Sequence, residues 1–345
     1  MSILDKILGN DEPRDTPAKP DHNMQKVLDE LAALGPKPIE TLSPEEARRQ
    51  PTPTDAVKSL LRKDGKNPDD DLGVATRDFT IPGPAGAIQA RLYGPETDKD
   101  TDKLLPVVVY FHGGGFVFAD LDVYDGGPRG TSKMADCIFV SCHYRQAPEN
   151  KFPAAHEDAV AAYKWVSENA QSFGGDPQKI AVMGESAGGN LAINVSMAAR
   201  DQGLPLPVHQ VLVYPVAGVD MDNESYRENA NAKPLNKPMM EWFVKHIFND
   251  QTEAQDPRIN LVGAANLAGL PSTTVILAEI DPLRTEGEQL AEKLEQAGVD
   301  VRHKTFNGST HEFYGMATVV PDAMAAQTFA AHELKRAFGT AILPI

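Results

Sequence analysis

The spacing of apolar residues changes along the chain, and the changes divide it. Residues 1–22, rich in Asp, Pro, Asn and Lys, show no period and predict a mobile arm without chemistry. Met24, Val27, Leu28, Leu31 and Leu34 then recur at helical spacing. Ser43-Pro44-Glu45-Glu46 starts a second helix over residues 43–49, and a third covers 54–62. Three short helices cannot bury their own apolar faces, so residues 23–75 are predicted to lie over a later core as a helical cap. From Arg77 the period becomes that of strands. Residues 78–81 and 87–93, divided by Pro82-Gly83-Pro84-Ala85-Gly86, predict an antiparallel hairpin.

Continuous apolar runs follow at 105–112 and 137–142, as expected of strands buried on both faces of a parallel sheet. Further strands are predicted at 208–214, 274–280 and 299–306. Helices alternate with them at 154–168, with Ala155, Ala159, Ala162 and Val166 on one stripe, and at 286–297 and 323–338. The order predicts an α/β fold, a mostly parallel sheet covered by helices on both faces with right-handed crossovers. Its core falls into two parts, 76–215 and 271–345. Between them, residues 216–270 lose the strand pattern and are predicted to join the cap. Met239, Trp242, Phe243, His246 and Ile247 in that insertion follow helical spacing, which favours packing over lining a substrate site.

One strand carries chemistry. The run from Lys179 to Met183 breaks at Gly184-Glu185-Ser186-Ala187-Gly188 and resumes as an amphipathic helix. A serine at such an apex sits in strained backbone with its hydroxyl lifted off the sheet, and small residues two before and two after it avoid collision. The helix start behind it favours developing negative charge. Ser186 is therefore the candidate nucleophile. In this arrangement an acid and then a histidine follow in sequence. His303 lies inside a predicted strand and His332 inside a helix, whereas His311 follows the last strand, where loops gather over the ligand crevice. Asp281, one strand earlier, is the candidate orienting acid. Its position before Pro282 also suits a helix cap, and Asp220 and Asp222 are the alternatives. His112-Gly113-Gly114-Gly115 offers a loop without Cβ atoms, whose amides at Gly114 and Gly115 would join the Ala187 N–H around an oxyanion, with His112 anchoring the loop.

The remaining composition narrows the partners. The chain of 345 residues has a net charge of −16, which argues against nucleic acid or an anionic membrane as partner. No apolar run approaches the roughly 20 residues that span a bilayer. The first residues lack the pattern of a signal peptide, so a cytoplasmic address is expected. Cys137 and Cys142 are the two cysteines. Their odd separation on one strand points them to opposite faces and prevents a bridge between them, and neither shows metal-ligand spacing.

His112-Gly113-Gly114-Gly115-Phe116, Tyr144-Arg145-Gln146-Ala147-Pro148-Glu149, Phe152-Pro153-Ala154-Ala155, Gly184-Glu185-Ser186-Ala187-Gly188-Gly189-Asn190, Asp281-Pro282-Leu283-Arg284 and His311 together resemble the hormone-sensitive-lipase-like (bacterial family IV) branch of the α/β-hydrolases. The resemblance spans about residues 75–338. It implies a serine carboxylesterase with Ser186, Asp281 and His311 as triad, and with Gly113, Gly114, Gly115 and Ala187 around the oxyanion. It also implies no metal or organic cofactor, and small, short-acyl esters as substrates. Family members often form a homodimer through the last edge strand, here 299–306, although Arg302 and Lys304 equally suit guards against edge pairing. A non-catalytic small-molecule receptor on the same fold, and an amide or carbamate hydrolase, are the alternatives. Glu185 and Glu312 depart from the family pattern, which often has Asp and Gly there, and Glu312 adds a carboxylate beside His311.

Overall fold

The computed structural model describes residues 18–95 and 104–341, so most of the arm expected over residues 1–22 lies outside the described residues. The end of that stretch is fixed. Asp21 caps the first helix with its side chain and donates its N–H to Gly308 O at 2.9 Å, and His22 already belongs to the helix.

In chain order, three helices come first, α1 (His22–Ala33), α2 (Pro44–Ala47) and α3 (Pro53–Lys63). Ser43 and Thr52 close capping boxes at the starts of α2 and α3, each with a proline in the first turn. The hairpin β1 (Val74–Gly83) and β2 (Gly86–Pro95) follows, longer at both ends than the alternation suggests. Then come β3 (Leu105–Phe111), α4 (Gly126–Ala135), β4 (Ile138–Cys142), α5 (Ala154–Asn169), β5 (Gly175–Glu185), α6 (Ala187–Gln202) and β6 (Gln210–Val213). Helices α7 (Glu224–Glu228), α8 (Lys237–Ile247) and α9 (Leu261–Ala264) occupy the insertion. The chain ends with β7 (Thr273–Ile280), α10 (Arg284–Gln296), β8 (Val301–Thr310) and α11 (Pro321–Phe338).

The eight strands form one sheet in the order β1-β2-β4-β3-β5-β6-β7-β8. The β1/β2 and β2/β4 pairs are antiparallel and the rest parallel. The apolar runs explain the two cores. In β3, Val107, Val109 and Phe111 face one cluster, while Val108 and Tyr110 face the other. Cys137 and Cys142 are buried free thiols that belong to opposite clusters, as their odd separation requires. The first cluster holds the inner stripes of α5, α6 and α10, the second those of α11 and of α1 and α3. Each face of the sheet is thus covered.

No pattern in the sequence predicts α4, because Gly126, Gly127, Pro128 and Gly130 are poor helix formers. Packing forms it nonetheless. A Cβ at Gly130 would lie 2.0 Å from Gln327 Oε1 of α11, so the missing side chain is what lets the two helices approach.

The N-terminal helices and the insertion meet. Trp242 Nε1 donates to Leu42 O at 2.9 Å. Arg48 reaches down to the sheet's loops, donating to Val117 O and Ala147 O and pairing with both Glu149 oxygens at 2.8 and 2.7 Å. On α8, Met239, Trp242, Phe243 and Ile247 are buried and His246 is half-buried. Between the N-terminal segment, the insertion and the strand ends lies a cleft of about 1490 Å³, lined among others by Phe118, His143, Asn229, Arg284 and Glu312.

Candidate functional site

Strand β5 ends at Glu185 and α6 begins at Ala187, leaving Ser186 alone at the turn with φ +57° and ψ −117°. A non-glycine residue in this region costs about 1–3 kcal/mol and persists only where its surroundings enforce it. Three backbone bonds do so. Ser186 N–H donates to Val213 O at 2.9 Å, and its carbonyl accepts from Asn190 and Val216. The flanking glycines are required by contact: a Cβ on Gly184 would lie 2.0 Å from Gly188 O, and one on Gly188 2.0 Å from Phe111 O. The turn therefore folds tightly against the end of β3.

Around Ser186 the structure brings together residues far apart in the chain. Its Oγ lies 3.0 Å from His311 Nε2, and His311 Nδ1 lies 2.7 Å from Asp281 Oδ2. All three residues are buried. β8 runs on to Thr310, past the expected end at residue 306, so His311 sits immediately beyond the strand. Asp281 divides its carboxylate: Oδ1 accepts from Leu283 N–H at 2.9 Å, leaving Oδ2 for the imidazole. It thus shapes the turn into α10 and faces the histidine at once. Asp222 instead pairs with Lys237 at 2.5 Å, and Asp220 accepts from Asp222 N–H, so neither stands where Asp281 does.

The glycine loop packs on this turn. A Cβ at Gly113 would lie 2.3 Å from the Tyr124 hydroxyl and 3.1 Å from Glu185 O. Gly114 has φ +98°, and a Cβ there would meet Phe118 O at 2.1 Å. The ring of Phe243, from α8, fills the space beside Gly115. The N–H groups of Gly114, Gly115 and Ala187 donate to no protein acceptor among the described residues. His112 anchors the loop: its Nδ1–H donates to Gly113 O at 2.7 Å, and Nε2 accepts from His143 Nδ1–H at 2.9 Å. Burial holds the His112 pKa down at about 3, so the ring is neutral, as this donor–acceptor arrangement needs. The Tyr144 hydroxyl donates to His112 O at 2.9 Å, and the Tyr144 ring stacks on the imidazole.

Electrostatics favour a histidine that can take a proton. Burial opposes the His311 cation, but the Asp281 carboxylate, joined by Glu312 and Glu185, outweighs it and raises the pKa. Glu312, at φ +67°, accepts from the Tyr124 hydroxyl at 3.0 Å. Burial raises its carboxyl, against the pull of His311 and Tyr124. Thr310 and Glu312, on either side of His311, line the large cleft, although Ser186 does not.

His143, Tyr110 and Tyr214 have no clear signal in the sequence. Each places a polar ring atom at the carboxyl end of a strand or just past it, and a polar atom at the edge of an otherwise apolar run is the one available hint. Among the described residues, no group of three or more His, Cys, Asp or Glu side chains is arranged to hold a metal ion, and no helix is long and apolar enough to cross a membrane.

This geometry has relatives. A family model described as the alpha/beta hydrolase fold matches residues 108–315. Esterase LipI of Mycobacterium tuberculosis is 43% identical over 250 residues, covering 72% of this chain and 78% of that protein. Ethyl acetate hydrolase of Pseudomonas putida is 34% identical over 291 residues, covering 83% and 88%. Among solved structures, a hyperthermophilic esterase from the archaeon Pyrobaculum calidifontis superposes with a TM-score of 0.81 at 35% identity, over 94% of this chain and 100% of that one. With the fold, the serine turn and these likenesses in agreement, the chain belongs to the hormone-sensitive-lipase-like branch of the α/β-hydrolases, the bacterial family IV carboxylesterases.

Proposed function

We propose that this carboxylesterase hydrolyses small, short-acyl esters through an acyl-enzyme on Ser186. The observation that carries this is the unbroken hydrogen-bond run from Ser186 Oγ through His311 to Asp281, set beside amide donors with no partner of their own among the described residues. In the first step Ser186 Oγ attacks the ester carbonyl while His311 Nε2 takes the hydroxyl proton. The oxyanion is held by the N–H groups of Gly114, Gly115 and Ala187, with Gly113 allowing the loop its course. His311 then gives the proton to the departing alcohol. Water attacks the acyl-serine by the same route and releases the acid. Asp281 keeps the proton of neutral His311 on Nδ1 and stabilises the imidazolium. The receptor reading expects no base beside the serine and is not favoured.

Residues 23–75 and 216–270 act in this reading as the cap over the core segments 76–215 and 271–345. The contacts of Trp242 with Leu42 and of Phe243 with Gly115 support it. A relative named for ethyl acetate hydrolysis supports small substrates. A cytoplasmic site of action belongs to the proposal. So does a homodimer through β8, which is an edge of the sheet. The test is a p-nitrophenyl ester series from acetate to palmitate with wild type and Ser186→Ala. Best turnover on the short chains, abolished in the variant, is expected. Best turnover on the long chains overturns the substrate class, and an active Ser186→Ala overturns the mechanism.

A further inference from the structure

The residue before the nucleophile has a second connection to the site. Glu185 is almost wholly buried, at 1% exposure, and its carboxylate accepts two short hydrogen bonds, from Tyr110 Oη to Oε1 at 2.6 Å and from Tyr214 Oη to Oε2 at 2.5 Å. Tyr110 lies in β3 and Tyr214 directly after β6, so the carboxylate ties the elbow to strands on both sides of β5. A carboxylate suits the place because it accepts at both oxygens, whereas an amide would donate at one.

Tyr214 has a task that Tyr110 lacks. Its ring packs on the His311 imidazole, with centroids 4.5 Å apart and the planes 49° from parallel. Its backbone is held at φ +35°, outside the usual range for a side chain of this size, by an N–H bond to Ile276 O at 2.6 Å. The ring is therefore pinned at the backbone by β7 and at the hydroxyl by Glu185. Among the described residues, Tyr110 makes no ring contact with His311. The titratable groups facing the Glu185 carboxylate are Tyr110 from β3, Tyr214 after β6, Tyr124 ahead of α4, and His311, Glu312 and Tyr314 from the segment after β8. Burial pushes Glu185 up to about 7, against the pull of the two phenols.

We propose that Glu185 is a positioning residue for His311: by holding the Tyr214 hydroxyl it fixes the ring surface against which the imidazole rests, and so the line from Nε2 to Ser186 Oγ. This rests on the esterase reading and adds a residue to it. A displaced base loses rate in the chemical step without weakening substrate binding.

The test compares Tyr214→Phe, Tyr110→Phe, Glu185→Gln and the double variant Glu185→Gln/Tyr214→Phe, each by kcat, KM, the pH profile of kcat/KM and Tm. Positioning predicts that Tyr214→Phe lowers kcat about tenfold at unchanged KM and displaces the acid limb of the profile. Tyr110→Phe, which removes an equally buried hydroxyl, should lower Tm comparably yet change kcat by no more than about twofold. The double variant should be no slower than the slower single one, since both act through one contact. Equal kcat losses in the two Phe variants, independent losses in the double variant, or an unchanged kcat in Tyr214→Phe would each overturn the proposal. If Glu185→Gln does not fold, the two Phe variants still decide. A wild type inactive on every ester would be a failure of the esterase reading, whereas an active wild type with indistinguishable Phe variants is a failure of positioning alone.

Discussion

Asp281→Asn keeps the shape of the side chain and reverses one hydrogen-bonding polarity, and the surroundings dictate which one. Leu283 N–H donates to Oδ1 at 2.9 Å, so the amide oxygen must take that place and the NH2 must face His311 Nδ1. The imidazole would then carry its proton on Nε2, opposed to the Ser186 hydroxyl it has to accept from. Flipping the amide restores the tautomer but leaves the buried Leu283 N–H unpaired, at about 1–3 kcal/mol. Losing the charge-assisted bond to the imidazolium adds about 1.5–3 kcal/mol. Together, about 2.5–6 kcal/mol corresponds to a fall in kcat of roughly 10²–10⁴. Steady-state kinetics on p-nitrophenyl butyrate measure it, with a melting curve to show that the fold is kept. A variant within about tenfold of wild-type kcat would refute the reasoning, and so would Asp220→Asn proving the slower enzyme.

The site and the core set three further outcomes. Gly114→Ala would put a Cβ 2.1 Å from Phe118 O, so the loop must move. Losing one oxyanion donor costs about 2.7–4 kcal/mol, so kcat should fall roughly 10²–10³-fold with KM little changed, and an unaltered kcat would contradict the loop's role. Glu312→Gln removes a negative charge that helps raise the His311 pKa, so the acid limb of kcat/KM should move to lower pH, and a shift to higher pH would count against the assignment. Stability should fall as the pH rises from about 7 to 8. Burial raises Glu185 to about 7 and Glu286 to about 8 from 4.5, so in this window the folded chain holds protons that the unfolded chain has released. His112, His156 and His209, lowered by burial to about 3, 4 and 4 from 6.5, are neutral in the folded chain but still partly protonated in the unfolded chain near pH 7, so they offset part of the fall at the start of the window and almost none of it by pH 8. Urea midpoints across the window measure this, and a steady rise to pH 8 would contradict it.

The parts of this protein legible in the sequence are those fixed by local pattern. Unbroken apolar runs mark β3 and β4, and the break at Gly184-Glu185-Ser186 marks the turn, because each depends on neighbours in the chain. The reach of β8 is hidden. Asn307-Gly308-Ser309 reads as a turn, yet Gly308 N–H donates to Glu279 Oε2 at 2.6 Å and the strand continues through it. Helix α4 is hidden because its glycines serve close contacts, Gly126 with Gly315, Gly127 with Glu185 and Gly130 with Gln327 of α11, and not helix propensity. The Glu185 network is least visible, since its two phenols stand 75 and 29 residues away and the sheet alone brings them together. The pairing of His112 with His143 is hidden for the same reason, although the anchoring role of His112 is not.

The central claim is that the buried Ser186 hydroxyl is the nucleophile, and covalent labelling tests it most directly. Treating the protein with a fluorophosphonate and measuring its intact mass should give one adduct per chain, mapped by digestion to Ser186, with esterase activity lost in step and no adduct in Ser186→Ala. An adduct on another residue, or an unlabelled protein that still turns over esters, would contradict the account.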